Sequence, residues 1–297
     1  ATKPGMNFKN VINLLSHPAF IAVVITFLIL LLIPEEKYFS KYKVTQTNRL
    51  FFSNEKNLIY CHDLDSDGNS EIIITKQTVT GNAAIKVLSS DQSLIDQFNF
   101  TGKFPNKLWH VSFGDFDANG FMEVYCISQR RDSAFLDYIE LMNPAASERK
   151  SFFITTIREV RDTADFTCSG VHVRDMNGDS YGDPVFAINA GFSLEPRSIF
   201  MLDIKNNKLK RSSHTGIKYS MLIVKDLNND HRPEIISGGF SASGNIPDTS
   251  HYRFHDQSCW LTVFDNRLKP LFDPIEFKGR FSQVVTQPYQ AAGKSYI

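Results

Sequence analysis

Asp63-Leu64-Asp65-Ser66-Asp67-Gly68-Asn69-Ser70-Glu71 sets oxygen-bearing side chains at its first, third, fifth and ninth positions, and the chain repeats the arrangement three more times. The further copies are Asp115-Phe116-Asp117-Ala118-Asn119-Gly120-Phe121-Met122-Glu123, Asp175-Met176-Asn177-Gly178-Asp179-Ser180-Tyr181-Gly182-Asp183 and Asp226-Leu227-Asn228-Asn229-Asp230-His231-Arg232-Pro233-Glu234. Successive copies begin 51 to 60 residues apart, which marks a repeat protein. Oxygen ligands at alternate positions of a tight turn, closed by a carboxylate, suit a hard cation such as calcium. Thirteen of the 32 acidic residues fall in these four loops, and carboxylates so crowded repel one another unless a cation neutralises them. The rival reading is a set of solvated acidic turns.

An EF-hand opens with the same spacing but needs its closing Glu at the twelfth position and a helix on each side. The twelfth residues here are Ile74, Cys126, Phe186 and Ser237, so that reading fails. The flanks are short runs rich in β-branched and aromatic residues: Leu58–Cys61 and Ile72–Thr75, Leu108–Val111 and Val124–Ile127, Met221–Val224 and Ile235–Ile236. Such runs read as strands, so each acidic loop joins two of them. Between the loops lie further pairs of apolar runs: Ala84–Leu88 with Leu94–Phe98, Tyr138–Met142 with Phe152–Thr156, Ile199–Leu202 before Lys208, and Trp260–Phe264 with Leu271–Asp273. About four strands per repeat is the composition of a propeller blade. The expected fold is all-β, a β-propeller of four-stranded blades with about four blades present, preceded by one transmembrane helix.

The D-x-[D/N]-x-[D/N]-x-x-x-[D/E] loop between strands, with Phe113-Gly114 just before the second copy, resembles the FG-GAP/VCBS repeats of integrin α-subunit propellers and many bacterial surface proteins. The resemblance covers roughly residues 50 to 280. It implies up to four calcium ions, held by the side chains at the first, third, fifth and ninth positions and a backbone carbonyl from the seventh. The carbonyls would come from Asn69, Phe121, Tyr181 and Arg232. The sixth position, glycine in the first two loops, is Ser180 in the third and His231 in the fourth. A left-handed turn there is adopted at some cost by residues other than glycine. The family commonly closes with seven blades. Phe281–Thr286 and Ser295–Ile297 read as the start of another blade, so the chain is expected to be a fragment of a longer protein, or else a compact variant that recruits residues 42 to 53.

From Asn10 to Pro34 there is no Asp, Glu, Lys or Arg, and Ala19–Ile33 is almost pure hydrocarbon. The uncharged stretch is long enough to span ~30 Å of bilayer core. No small-x-small site follows it, which favours an uncleaved signal anchor over a cleaved signal peptide, with a buried core helix a third reading. Met6 reads as the translation start. The implied organisation is a short cytoplasmic tail (1–9), a transmembrane anchor (10–34), a juxtamembrane linker (35–49) and a propeller (50–297). Lysines on both sides of the span blunt the positive-inside signal. Weak oxygen-ligand calcium sites belong outside the cytoplasm, so the propeller is expected to face out, at the cell surface or in the periplasm.

Zero formal net charge and no basic cluster argue against nucleic-acid binding. Cys61, Cys126, Cys168 and Cys259 lack metal-type spacing; buried thiols and disulfides both stay open for them. There is no nucleophile elbow, zinc-helix motif or P-loop, and the one close histidine pair, His251 and His255, lies in a polar loop. The expected function is that of a ligand-recognition, adhesion or sensor ectodomain with an extracellular protein or glycan ligand. The long segment from Ser237 to Cys259 is the candidate recognition loop. The alternative is an extracellular enzyme of propeller type, such as a polysaccharide lyase.

Overall fold

The computed structural model describes residues 15–32, 58–65, 67–105, 111–143, 149–241, 252–279, 281–291 and 294–297. The chain divides into two compact units, Ala1–Ser53 and Asn54–Ile297. In the first, helix α1 (Pro18–Leu32) is apolar apart from Thr26. Pro18 suits the first helical turn, where its missing N–H is not needed, and His17 Nδ1 accepts from the Ala19 amide at 3.3 Å. The helix has 15 residues, about 22 Å at 1.5 Å per residue, against the ~30 Å of a bilayer core. Among the described residues no helix is long and apolar enough to cross a membrane, and both ends of the 10–34 stretch lie outside them.

The second unit is all-β. Its described strands form four four-stranded antiparallel sheets, each a meander in chain order. The first holds β1 (Leu58–His62), β2 (Glu71–Gln77), β3 (Ala83–Leu88) and β4 (Leu94–Asn99). The second holds β5 (Val111–Gly114), β6 (Met122–Arg130), β7 (Ser133–Leu141) and β8 (Lys150–Thr156). The third holds β9 (Phe166–Arg174), β10 (Asp183–Ala190), β11 (Arg197–Asp203) and β12 (Lys208–Arg211). The fourth holds β13 (Lys218–Lys225), β14 (Glu234–Phe240), β15 (Cys259–Phe264) and β16 (Ile275–Phe277). Of the second repeat's expected first strand, Leu108–Val111, only Val111 falls among the described residues.

The sheets pack in series, and the two-residue period of a strand is what lets them. In β6, Val124 and Cys126 join Ile73 and Ile85 of the first sheet, while Tyr125 and Ile127 join Phe186 and Phe200 of the third. In β10 the same alternation sends Phe186 and Ile188 back to the second sheet and Val185 and Ala187 forward to Tyr219 and Ile235 of the fourth. A strand covered on both faces favours a continuous apolar run, here Pro184–Ile188 of the wholly buried β10, while its buried polar residues Asp183 and Asn189 are hydrogen-bonded. Four meanders with one core between each successive pair are compatible with propeller blades.

Two expected strands are displaced. The fourth sheet closes with Ile275–Phe277 rather than Leu271–Asp273. Asp265 Oδ1 accepts the amides of Arg267 (2.9 Å) and Lys269 (2.8 Å), and this turn draws Leu268 into the core. Pro270 and Pro274 then flank Leu271–Asp273 and lack the N–H a ladder requires. Nearer the end of the chain, Phe281–Thr286 forms no hairpin with Ser295–Ile297. Residues 282–284 instead run beside the end of β14, through Ser241 N–H to Ser282 O (2.8 Å) and Val284 N–H to Gly239 O (3.0 Å). The terminal hairpin is β17 (Tyr289–Ala291) with β18 (Lys294–Tyr296). All four cysteines are free thiols; Cys61 is exposed and the other three are buried.

Candidate metal centre

All four acidic loops occupy the same place, the hairpin between the first and second strands of a sheet. The residue before each loop pairs with the ninth-position acid: His62 with Glu71, Gly114 with Glu123, Arg174 with Asp183 and Lys225 with Glu234. The second residue of every loop is apolar, and Leu64 and Met176 lie in the core, so the acidic turn is pinned by its own neighbour.

The internal hydrogen bonds repeat loop by loop. The first-position Asp accepts the sixth-position amide: Gly68 to Asp63 at 3.0 Å, Gly120 to Asp115 at 3.0 Å, Ser180 to Asp175 at 2.8 Å and His231 to Asp226 at 2.9 Å. The third-position oxygen of Asp65, Asp117, Asn177 or Asn228 accepts the fifth-position amide at 2.9–3.2 Å. The seventh-position amides of Asn69, Phe121, Tyr181 and Arg232 donate to the side-chain oxygens of Asp67, Asn119, Asp179 and Asp230 at 2.7–3.0 Å. Each ninth-position acid accepts the second-position amide, as Leu64 donates to Glu71 at 2.7 Å and Met176 to Asp183 at 3.1 Å.

The left-handed turn expected at the sixth position is present in every copy: φ is +88° at Gly68, +90° at Gly120, +68° at Ser180 and +63° at His231. The backbone also turns left-handed at the fourth position, at Ala118 (+58°), Gly178 (+83°) and Asn229 (+61°). The sequence marks that second turn only by the glycine at 178 and the asparagine at 229.

Carboxylate geometry separates the loops. Among the described residues, only Asp63, Asp65 and Glu71, and Asp115, Asp117 and Glu123, bring three acids to within 4.8 Å of one another. In the third and fourth loops the third-position residue is an amide. Asn228 Nδ2 donates to both Asp230 (3.1 Å) and Glu234 (3.2 Å), filling space between carboxylates with a donor. Asn177 Nδ2 instead reaches Asp203 at 3.3 Å.

Burial governs the charges. Glu123 is completely buried; loss of water, reinforced by the neighbouring Asp117, Asp115 and Glu140, raises its pKa to about 8. Asp183, equally buried, rises to about 7 by the same desolvation, with Asp203 and Asp179 adding to it. Glu234 and Asp117 also move up, chiefly through burial. Asp175 and Asp226 move down: burial pulls them upward, but the converging backbone amides outweigh it. Glu123 Oε1 and Asp183 Oδ1 have no hydrogen-bond partner among the described residues.

The loops also touch one another. Gly182 N–H in the third loop donates to Phe116 O in the second at 2.7 Å, and Asn266 Nδ2 of the fourth sheet donates to Met176 O at 2.9 Å. A Cβ on Gly182 would stand 2.7 Å from Val173 Cγ1 and 2.8 Å from Phe116 Cβ. Gly182→Ala is therefore expected to destabilise the protein by about 1–3 kcal/mol, the usual penalty of overpacking. The readout is a lower urea midpoint at unchanged slope; an unshifted midpoint would contradict the tight junction between the loops.

Fold and loops together define an all-β protein of serially packed four-stranded sheets, each with an acidic loop in its first hairpin. No family model matches the chain, and no curated protein matches it in sequence.

Of the other residues weighed from sequence, His251 and most of the 237–259 segment's tip lie outside the described residues. Ser237–Phe240 belongs to β14, and the returning residues fold inward rather than forming a free loop: His255 O accepts from Trp260 Nε1 at 2.6 Å and Asp256 is buried.

Proposed function

We propose that the chain is a calcium-stiffened propeller-type ectodomain of the FG-GAP/VCBS kind, tethered to a membrane through residues 10–34 and acting in ligand recognition, adhesion or sensing. The observation that carries it is the second loop, where three carboxylates converge and the buried Glu123 keeps one oxygen without a protein partner. A buried carboxylate is retained at such a place when something neutralises it, and a divalent cation supplies both the charge and the missing contact. The four loops share one hydrogen-bond scheme, so the reading extends to the first loop most directly and to the third and fourth with fewer charges. The exposed apolar surface of Phe20, Val23, Ile25 and Phe27 on α1 supports the tether, because a helix apolar all round belongs in lipid or in a core.

Isothermal titration of calcium into the full chain tests the metal. Two tighter events from the first two loops are expected, with Glu123→Gln removing one of them. A flat titration, or an unchanged one in the Glu123→Gln protein, would reject the assignment.

A further inference from the structure

A cleft of about 470 Å³ opens between the second and third sheets beside the second acidic loop. That size is within the range of about 300–1,000 Å³ of small-molecule sites. One wall is the face of β7 and β8, with Tyr138, Phe152 and Lys150; the opposite wall carries Tyr181 and, on the turn from β11 to β12, Lys205. Each wall pairs an aromatic ring with an ammonium group: Lys150 Nζ lies 5.5 Å from the Tyr138 ring centre, and Lys205 Nζ 4.7 Å from that of Tyr181. Glu140, also lining the cleft, is fixed as an acceptor by Tyr138 Oη (2.5 Å) and Asn143 Nδ2 (2.6 Å).

These features choose among ligands. β8, which carries Lys150 and Phe152, is the outer strand of its sheet, so a peptide adding along that edge is the rival ligand and the side chains of the cleft decide between the two. Those side chains are the half-buried rings of Phe152 and Tyr181 and, in Glu140, a fixed acceptor, while Tyr138 belongs to the core behind them; the set suits a ring with an apolar face and hydroxyls at its edge. The charged lining groups are the two lysines against Asp117 and Glu140, and Asp117 is also the third-position acid of the second loop. A cation in that loop takes Asp117 out of the balance and leaves the cleft net positive.

We propose that this cleft binds an acidic sugar, a pyranose carrying a carboxylate, stacked on the aromatic rings with its carboxylate facing Lys150 and Lys205, and that a cation in the second loop favours its binding. The cation dependence rests on the calcium reading; the sugar site does not. The test uses the full chain in calcium, a tetrasaccharide alternating glucuronate with N-acetylglucosamine, and the neutral N-acetylglucosamine tetramer. Binding is followed by saturation-transfer NMR and tyrosine fluorescence. The acidic sugar should bind about tenfold more tightly than the neutral one, a difference of about 1.4 kcal/mol. Lys205→Ala should abolish that preference, and Phe152→Ala should weaken both sugars. Chelation should weaken the acidic sugar selectively. Absence of saturation transfer to either sugar while calorimetry shows calcium bound would overturn the sugar site and leave the metal reading intact. Sugar binding that ignores chelator, with calcium calorimetrically silent, would overturn the metal reading and the cation dependence alone. An acidic peptide that displaces the sugar at equal concentration would reassign the cleft to peptides.

Discussion

Chelating divalent cations lowers the melting temperature of the full chain by on the order of 10 °C, and added calcium restores it. Extracellular calcium modules bind with Kd of about 0.1–1 mM, so 10 mM calcium is a roughly 10- to 100-fold excess. Each site that binds only the folded state then adds about 1.4–2.7 kcal/mol, and two such sites about 3–5 kcal/mol. For a domain of 150–250 residues each kcal/mol moves the midpoint by about 2–4 °C. Scanning calorimetry in EDTA, in calcium, and in sodium chloride of equal ionic strength separates the specific effect from screening. Superimposable melts in EDTA and calcium would sink the metal assignment.

Glu123→Gln makes the same prediction local. The wild-type side chain is fully buried, with one oxygen unpartnered and neighbouring carboxylates opposing its charge. Without a cation, replacing it by a neutral isostere removes a cost, so the variant should melt at or above the wild type in EDTA. With calcium the order should invert, because the variant has lost a ligand. A variant below the wild type by the same margin in both buffers would mark Glu123 as a structural residue only.

How far the sequence reveals this molecule follows from where each signal resides. The four hairpins were legible because a cation-type loop fixes its residues locally, so Asp63 and Glu71 announce one another across nine positions of chain. The strand after the second loop was legible because burial on both faces selects apolar residues, as in Val124–Ile127. The displacement of β16 was foreseeable only in part: Pro270 and Pro274 are visible in the sequence, but the turn tied by Asp265 and the insertion of Leu268 depend on packing. At the site itself, equal spacing concealed unequal chemistry. Asp65 and Asn177 occupy the same position, yet only the former belongs to a close carboxylate cluster. The contact between Gly182 and Phe116 joins residues that no local pattern relates.

The second large effect comes from such a non-local contact. Asp256→Ala is expected to destabilise the protein by about 3–5 kcal/mol, the usual cost of removing one partner from a buried ion pair. Arg197, at the start of β11, and Asp256, before β15, meet at 2.9 Å with side-chain exposures of 1% and 0%. The guanidinium is otherwise held by carbonyls: Nη1 donates to Gly216 at 2.8 Å, Nε to Ala190 at 3.1 Å and Nη2 to Gly191 at 3.3 Å. One side chain thus ties the end of β10 to the segment that enters β13 and to the connection between β14 and β15. Burial lowers the Arg197 pKa and Asp256 acts against that shift, so deleting Asp256 leaves a desolvated cation without its counter-charge. Substituting both partners with apolar residues, Arg197→Met with Asp256→Leu, removes the stranded charge and should cost less than Asp256→Ala alone. Urea unfolding of the two proteins reads the comparison. A double variant less stable than Asp256→Ala would mean that the carbonyl contacts of Arg197, rather than its charge pairing, hold the third and fourth sheets together.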